Sequence, residues 1–149
     1  MAHVEAHRIA TQLDRAVTGP AWHGPSIREA LRGVTPAVAA AHPVADAHSI
    51  WEILLHATAW MSIVRRRIEG RAPRITKRVN WPPVSGTSAR DWRRDVAALR
   101  RESAKLQRTI RALDDTRIPY LAAHGIVQHT TYHAGQMALL KKRSLRRAS

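Results

Sequence analysis

The sequence predicts an all-α protein, a four-helix bundle with one long crossover connection. Three observations carry this. Four long stretches repeat apolar residues at i, i+3 and i+4 spacing. No stretch alternates as a half-buried strand does. Gly, Pro and helix-capping residues punctuate the gaps. A chain of 149 residues supports one domain with a real core and is short for two, so a single domain over 1–149 is expected.

The first helix is expected over residues 3–17. Val4, Ile9, Leu13, Ala16 and Val17 form its inner face, and Gly19-Pro20 stops it. Residues 21–25 read as a loop. Ser26-Ile-Arg-Glu29 is a capping box that opens a short helix ended by Gly33. Thr35-Pro36 starts another brief turn through Ala37–Ala41, with Pro at the first helical position. These short pieces lie between the first and second long helices.

Ser49-Ile-Trp-Glu52 is a second capping box. Its helix runs to about Glu69, where Gly70 suits the residue just past a helix end. The buried stripe is Ile50, Ile53, Leu54, Ala57, Met61, Val64 and Ile68. Residues 71–86 carry Pro73, Pro82, Pro83 and Gly86 and read as a long connection across the molecule. Thr87 or Ser88 caps the third long helix. Trp92, Val96, Leu99, Ser103, Leu106, Ile110 and Leu113 step along it as a heptad seam with one polar member. Residues 114–117 break it. Pro119 opens the fourth long helix, which is expected to reach about Arg143, leaving the tail 144–149 frayed. Its inner face is Ile126, Thr130, His133, Met137 and Leu140.

Composition narrows the chemistry. There is no Cys, which removes disulfides, thiolate ligands and a cysteine nucleophile together. A metal here takes His, carboxylate or water. Nothing needs an oxidising compartment, and the first residues lack the apolar core of a secretory signal, so a cytoplasmic location is expected. No apolar run nears the roughly 18 residues of a membrane span. Lys and Arg number 25 against 11 Asp and Glu, giving +14, which brings nucleic acid forward as a partner class. The basic residues are nevertheless spread along the chain, and only Trp81 and Trp92 lie among them as stacking platforms. Solvated helix faces are the simpler reading.

Histidine carries the strongest chemical signal. His129 and His133 are four residues apart, about 40° on a helix, and both face inward. His124 falls nearly opposite and is expected to face solvent. His56 lies on a flank of the second long helix, on the side of Trp60. Two readings stand for these rings. They are ordinary core or boundary histidines, or they are ligands of a divalent metal, aimed inward from facing helices as bundles do. Burying two imidazoles side by side costs several kcal/mol unless something satisfies them. His3, His7, His23 and His42 read as loop or surface residues. His48 is placed at a pocket rim, and Trp22 and Trp81 are loop tryptophans able to line a pocket. Gln136 is a candidate for orienting a ligand or substrate. Tyr132 sits on another flank. Glu52 is a candidate partner for a His56 ring N–H, although its capping role is the better account of it. No Ser or Thr sits in a G-x-S-x-G elbow, and no HExxH, P-loop or dinucleotide fingerprint occurs.

Four segments in order resemble the DinB-like (YfiT-like) family: Trp22-His-Gly-Pro-Ser26, Ala47-His-Ser-Ile-Trp-Glu-Ile-Leu-Leu-His56-Ala-Thr-Ala-Trp60, Asn80-Trp-Pro-Pro, and His124-Gly-Ile-Val-Gln-His129-Thr-Thr-Tyr-His133-Ala-Gly-Gln136. The resemblance implies an up-and-down-type bundle with one long crossover, often homodimeric. It implies a divalent metal, typically nickel, zinc or iron, on His56, His129 and His133. It also implies thiol-dependent S-transferase or isomerase chemistry with a low-molecular-weight thiol such as bacillithiol or mycothiol. The expected function is therefore a metal-dependent transferase or hydrolase acting on a small molecule. The alternative is a non-catalytic basic module for nucleic acid or another anionic partner, with structural histidines. Steep weakening of binding by salt would mark that module.

Overall fold

Serine starts three of the helices. Ser26, Ser49 and Ser88 each accept a hydrogen bond from the backbone N–H three residues on, and Glu29, Glu52 and Asp91 each accept one from the serine N–H in turn. In the computed structural model, which describes residues 3–148, the helices are α1 (Val4–Thr18), α2 (Ile27–Leu31), α3 (Pro36–Ala40), α4 (Ile50–Ile68), α5 (Lys77–Asn80), α6 (Ala89–Arg111) and α7 (Tyr120–Ala148). A single 3₁₀ turn, Asp115–Arg117, links α6 to α7. No strand occurs among the described residues.

The long helices α1, α4, α6 and α7 form the bundle. Each of α1 and α4 packs on both α6 and α7. Side-chain pairs give the directions. Trp51 meets Asp95 and Arg65 meets Glu102, so α4 and α6 run parallel. Trp60 and Val64 share a groove with His129 and Gly125, so α4 and α7 run antiparallel. Glu5, at the start of α1, faces His124, near the start of α7. The order is up, down, down, up, where the resemblance implied an up-and-down type. A connection between two parallel helices must return along their length. Here that is the stretch from 69 to 88, travelling about 28 Å beside a 19-residue helix.

The expected stripes form the core. Ile50, Trp51, Leu54, Ala57 and Met61 of α4, Leu99, Leu106 and Ile110 of α6, and Ile126, Thr130 and Met137 of α7 are all buried. At 25 cal/mol per Å² this burial is the main stabilising force. Gly70 takes a φ of +83° at the end of α4, a conformation a side chain would strain. No described helix is long and apolar enough to cross a membrane.

Three expectations change. Val4 is 45% exposed, and Ala6 takes its place on the buried face. The connection from 71 to 86 contains α5, capped by Thr76. The tail is helical through Ala148, because the end of α7 packs on α2 and α3 and Lys141 donates to the Arg32 carbonyl. Ser149 lies outside the described residues.

Candidate metal centre

His56 enters the α4/α7 seam from one side, and His129 and His133 enter from the other. His56 and His133 are buried and His129 is half-buried. Their Nε2 atoms converge. His129 Nε2 lies 3.1 Å from His56 Nε2 and 3.1 Å from His133 Nε2, and the three ligand atoms fall within 4.8 Å of one another.

The outer nitrogens fix which tautomer two of the rings adopt. His56 Nδ1 lies 2.5 Å from the Asn80 carbonyl, and His133 Nδ1 lies 2.6 Å from Gln136 Oε1. Carbonyl oxygens only accept, so in both rings Nδ1 carries the hydrogen and Nε2 is bare. His129 Nε2 can offer a hydrogen to one of these atoms and not satisfy both. Its own Nδ1 is buried and has no hydrogen-bond partner among the described residues. The cluster therefore holds more inward lone pairs than hydrogens to fill them.

Protonation is a poor remedy. Burial, with the neighbouring His133 and His56 charges, pushes His129 down to about 4. Burial also lowers His56 and His133, although the bonds to Asn80 and Gln136 act in the other direction. All three rings are neutral near pH 7. Three neutral imidazoles aiming their Nε2 atoms at one point, two of them bare, are the donor set of a divalent cation with an open coordination position. The residues present fit that group.

Tryptophan walls the site. Trp81 stacks on His56 at 3.8 Å and 12°, and His48 stacks on Trp81 at 3.6 Å and 12°. Trp60 donates its indole N–H to Asn80 Oδ1 at 2.8 Å and lies 5.7 Å from the His129 ring. The crossover thus holds His56 through a backbone carbonyl and a stacked ring, while its asparagine amide ties down Trp60.

A family model for the DinB superfamily matches residues 21–138, which include all three histidines and the crossover. The chain belongs to the DinB superfamily. No curated protein and no solved structure matches it.

In this DinB chain the three histidines singled out from sequence meet. Gln136 lies beside them, and its Oε1 accepts from His133 Nδ1, which holds that ring. Glu52 does not reach His56. It holds Ser49 and pairs with His42 at 3.0 Å and His48 at 3.4 Å, because its position at the helix start turns it toward the preceding loop. His48 is placed against the site as expected, through Trp81. Trp22 is fully exposed and lines nothing. His124 is not free in solvent; it is half-buried beside Tyr120, with its ring 4.0 Å away, and faces Glu5. Tyr132 is exposed, with its ring edge toward His133 at 5.1 Å. Sequence reasoning missed Asn80 as the partner of His56. The Asn80-Trp-Pro-Pro segment was the available signal.

Proposed function

We propose that this chain is a metal-dependent enzyme whose His56, His129 and His133 hold a divalent cation, zinc, nickel or iron. The observation that carries the reading is the convergence of three Nε2 atoms within 4.8 Å, two of them bare by their outer bonds. The cation would supply Lewis acidity, lowering the pKa of a thiol or water so that the nucleophile exists near neutral pH. The chain's own residues do the positioning. Asn80 and Gln136 keep His56 and His133 in the tautomer that presents Nε2, and outer bonds of this kind are typically worth 10- to 100-fold in metal affinity. Trp81 stacks on His56 and Trp60 stands beside His129, so the two rings are walled on those sides.

The reaction proposed is transfer to, or hydrolysis by, that nucleophile. With no Cys in the chain, a thiol nucleophile arrives on a small cosubstrate. Elemental analysis of protein purified without chelators tests the reading. About one divalent ion per chain is expected, lost to a chelator and regained on adding metal. A protein that neither carries nor rebinds a stoichiometric ion would end it.

A further inference from the structure

A groove of about 230 Å³ opens between α4 and α7 beside the histidines, walled by Trp60, Val64, Leu121 and Ile126 and reaching His129. Its walls are apolar, and its rim carries one cation. The Arg67 guanidinium sits 5.6 Å over the Trp60 ring. No acidic group pairs with it among the described residues, because the neighbouring Glu69 is taken by Arg65 and Arg71. Exposed Leu121, at the opposite rim, leaves the groove open to solvent.

We infer that this groove binds a small amphiphile, an apolar body on Trp60, Val64 and Ile126 with one anionic group on Arg67. At about 30 Å³ per water-sized group, the space takes roughly seven or eight heavy atoms. Charge selects the occupant. A rim guanidinium with no acidic partner among the described residues, on a chain of net charge +14, draws in an anion and repels a second copy of the chain. The groove shares Trp60 and His129 with the metal centre, so its occupant lies against the proposed nucleophile. The inference rests on the proposed function for calling that occupant a substrate. Its binding through Arg67 does not need the metal.

Titration calorimetry with hexanoate, hexanol and acetate, on zinc-loaded and metal-free protein, tests it. Hexanoate is expected to bind at least fivefold tighter than hexanol or acetate in both forms. Arg67→Gln should reduce hexanoate to the hexanol level, while Arg66→Gln, an exposed neighbour, should leave it unchanged. Circular dichroism checks that both variants stay folded. Equal binding of hexanoate and hexanol would overturn the inference. So would hexanoate affinity that survives Arg67→Gln, since the carboxylate would then be held elsewhere. A dimer that hexanoate dissociates would also overturn it, by making a second copy the occupant. Failure of the metal reading looks different: no zinc binds, yet hexanoate still binds and Arg67→Gln still weakens it.

Discussion

Helix α4 sends polar groups into two seams, and the two seams treat them oppositely. Against α6, the Trp51 indole N–H donates to buried Asp95 at 2.8 Å, and Arg94 binds the same carboxylate at 2.9 Å. Further along α6, on its side toward α1, Gln107 donates to Ser103 and Asp14. Those donors and acceptors find partners. Five residues after Trp51, about 140° around the helix, His56 enters the α7 seam. There the Nε2 atoms of three rings face one another with too few hydrogens between them. Both seams bury polar atoms, a cost that paired hydrogen bonds offset and bare ones do not. The α6 seam explains itself as structure. The α7 seam is left unbalanced by the chain's own hydrogens and fits a divalent cation, which is why the proposed function is placed there.

The largest expected effect separates the seams outright. His133→Ala should abolish stoichiometric metal while leaving a helical bundle, read by elemental analysis and circular dichroism. Full metal content in the variant would remove His133 as a ligand. Asp95→Ala is the converse. It strands the Trp51 N–H in the core, at a cost of roughly 1–3 kcal/mol. That should lower Tm by several degrees for a chain of this size, with metal content unchanged. If Asp95→Ala also lost the metal, the two seams would not be independent.

Much of this contrast was legible in the chain. Caps and apolar stripes placed the long helices, because those signals are local. The inward faces of His129 and His133 followed from a one-turn spacing. Partners across the molecule were not legible. Asp95 and Gln107 lie on the third long helix among charged residues, and only the seam with α4 or α1 reveals their burial. Asn80 reaches His56 because the crossover folds back along α4, a tertiary event that no periodicity records. The helical tail has the same origin, since packing on α2 and α3 stabilises a segment whose own composition is basic and polar.

Acid should sharpen the comparison further. In metal-free protein, His129 titrates at about 4 when folded and near 6.5 when unfolded. Between those values the unfolded chain binds more protons, so stability falls as pH drops through the window and is level above it. His56 and His133 shift in the same direction. Glu29, Asp91, Asp114 and Asp115, whose folded carboxyls are lowered by hydrogen bonds, and Glu52, lowered in spite of its burial, begin to contribute only below about pH 5.5. The histidine effect is therefore isolated from about 5.5 to 6.5. Urea midpoints across that range should decline with acid, and His129→Gln should flatten the decline. An unchanged slope in His129→Gln would mean the rings are hydrated.

The smallest effect expected belongs to the histidine nearest the trio in sequence. His124 precedes His129 by five residues but projects from the opposite side of α7, toward Glu5 of α1. Its side chain is 35% exposed, and its Nε2 lies 3.6 Å from the Glu5 carboxylate, a contact in the range that adds little to stability. His124→Ala should leave metal content at the wild-type level and change stability by no more than about 1 kcal/mol. Both are read on the His124→Ala protein by the elemental analysis and circular dichroism used for His133→Ala. Loss of metal in His124→Ala would mean that α7 is rotated from the register described, and that the convergence of His129 and His133 with His56 is not the arrangement that binds the ion.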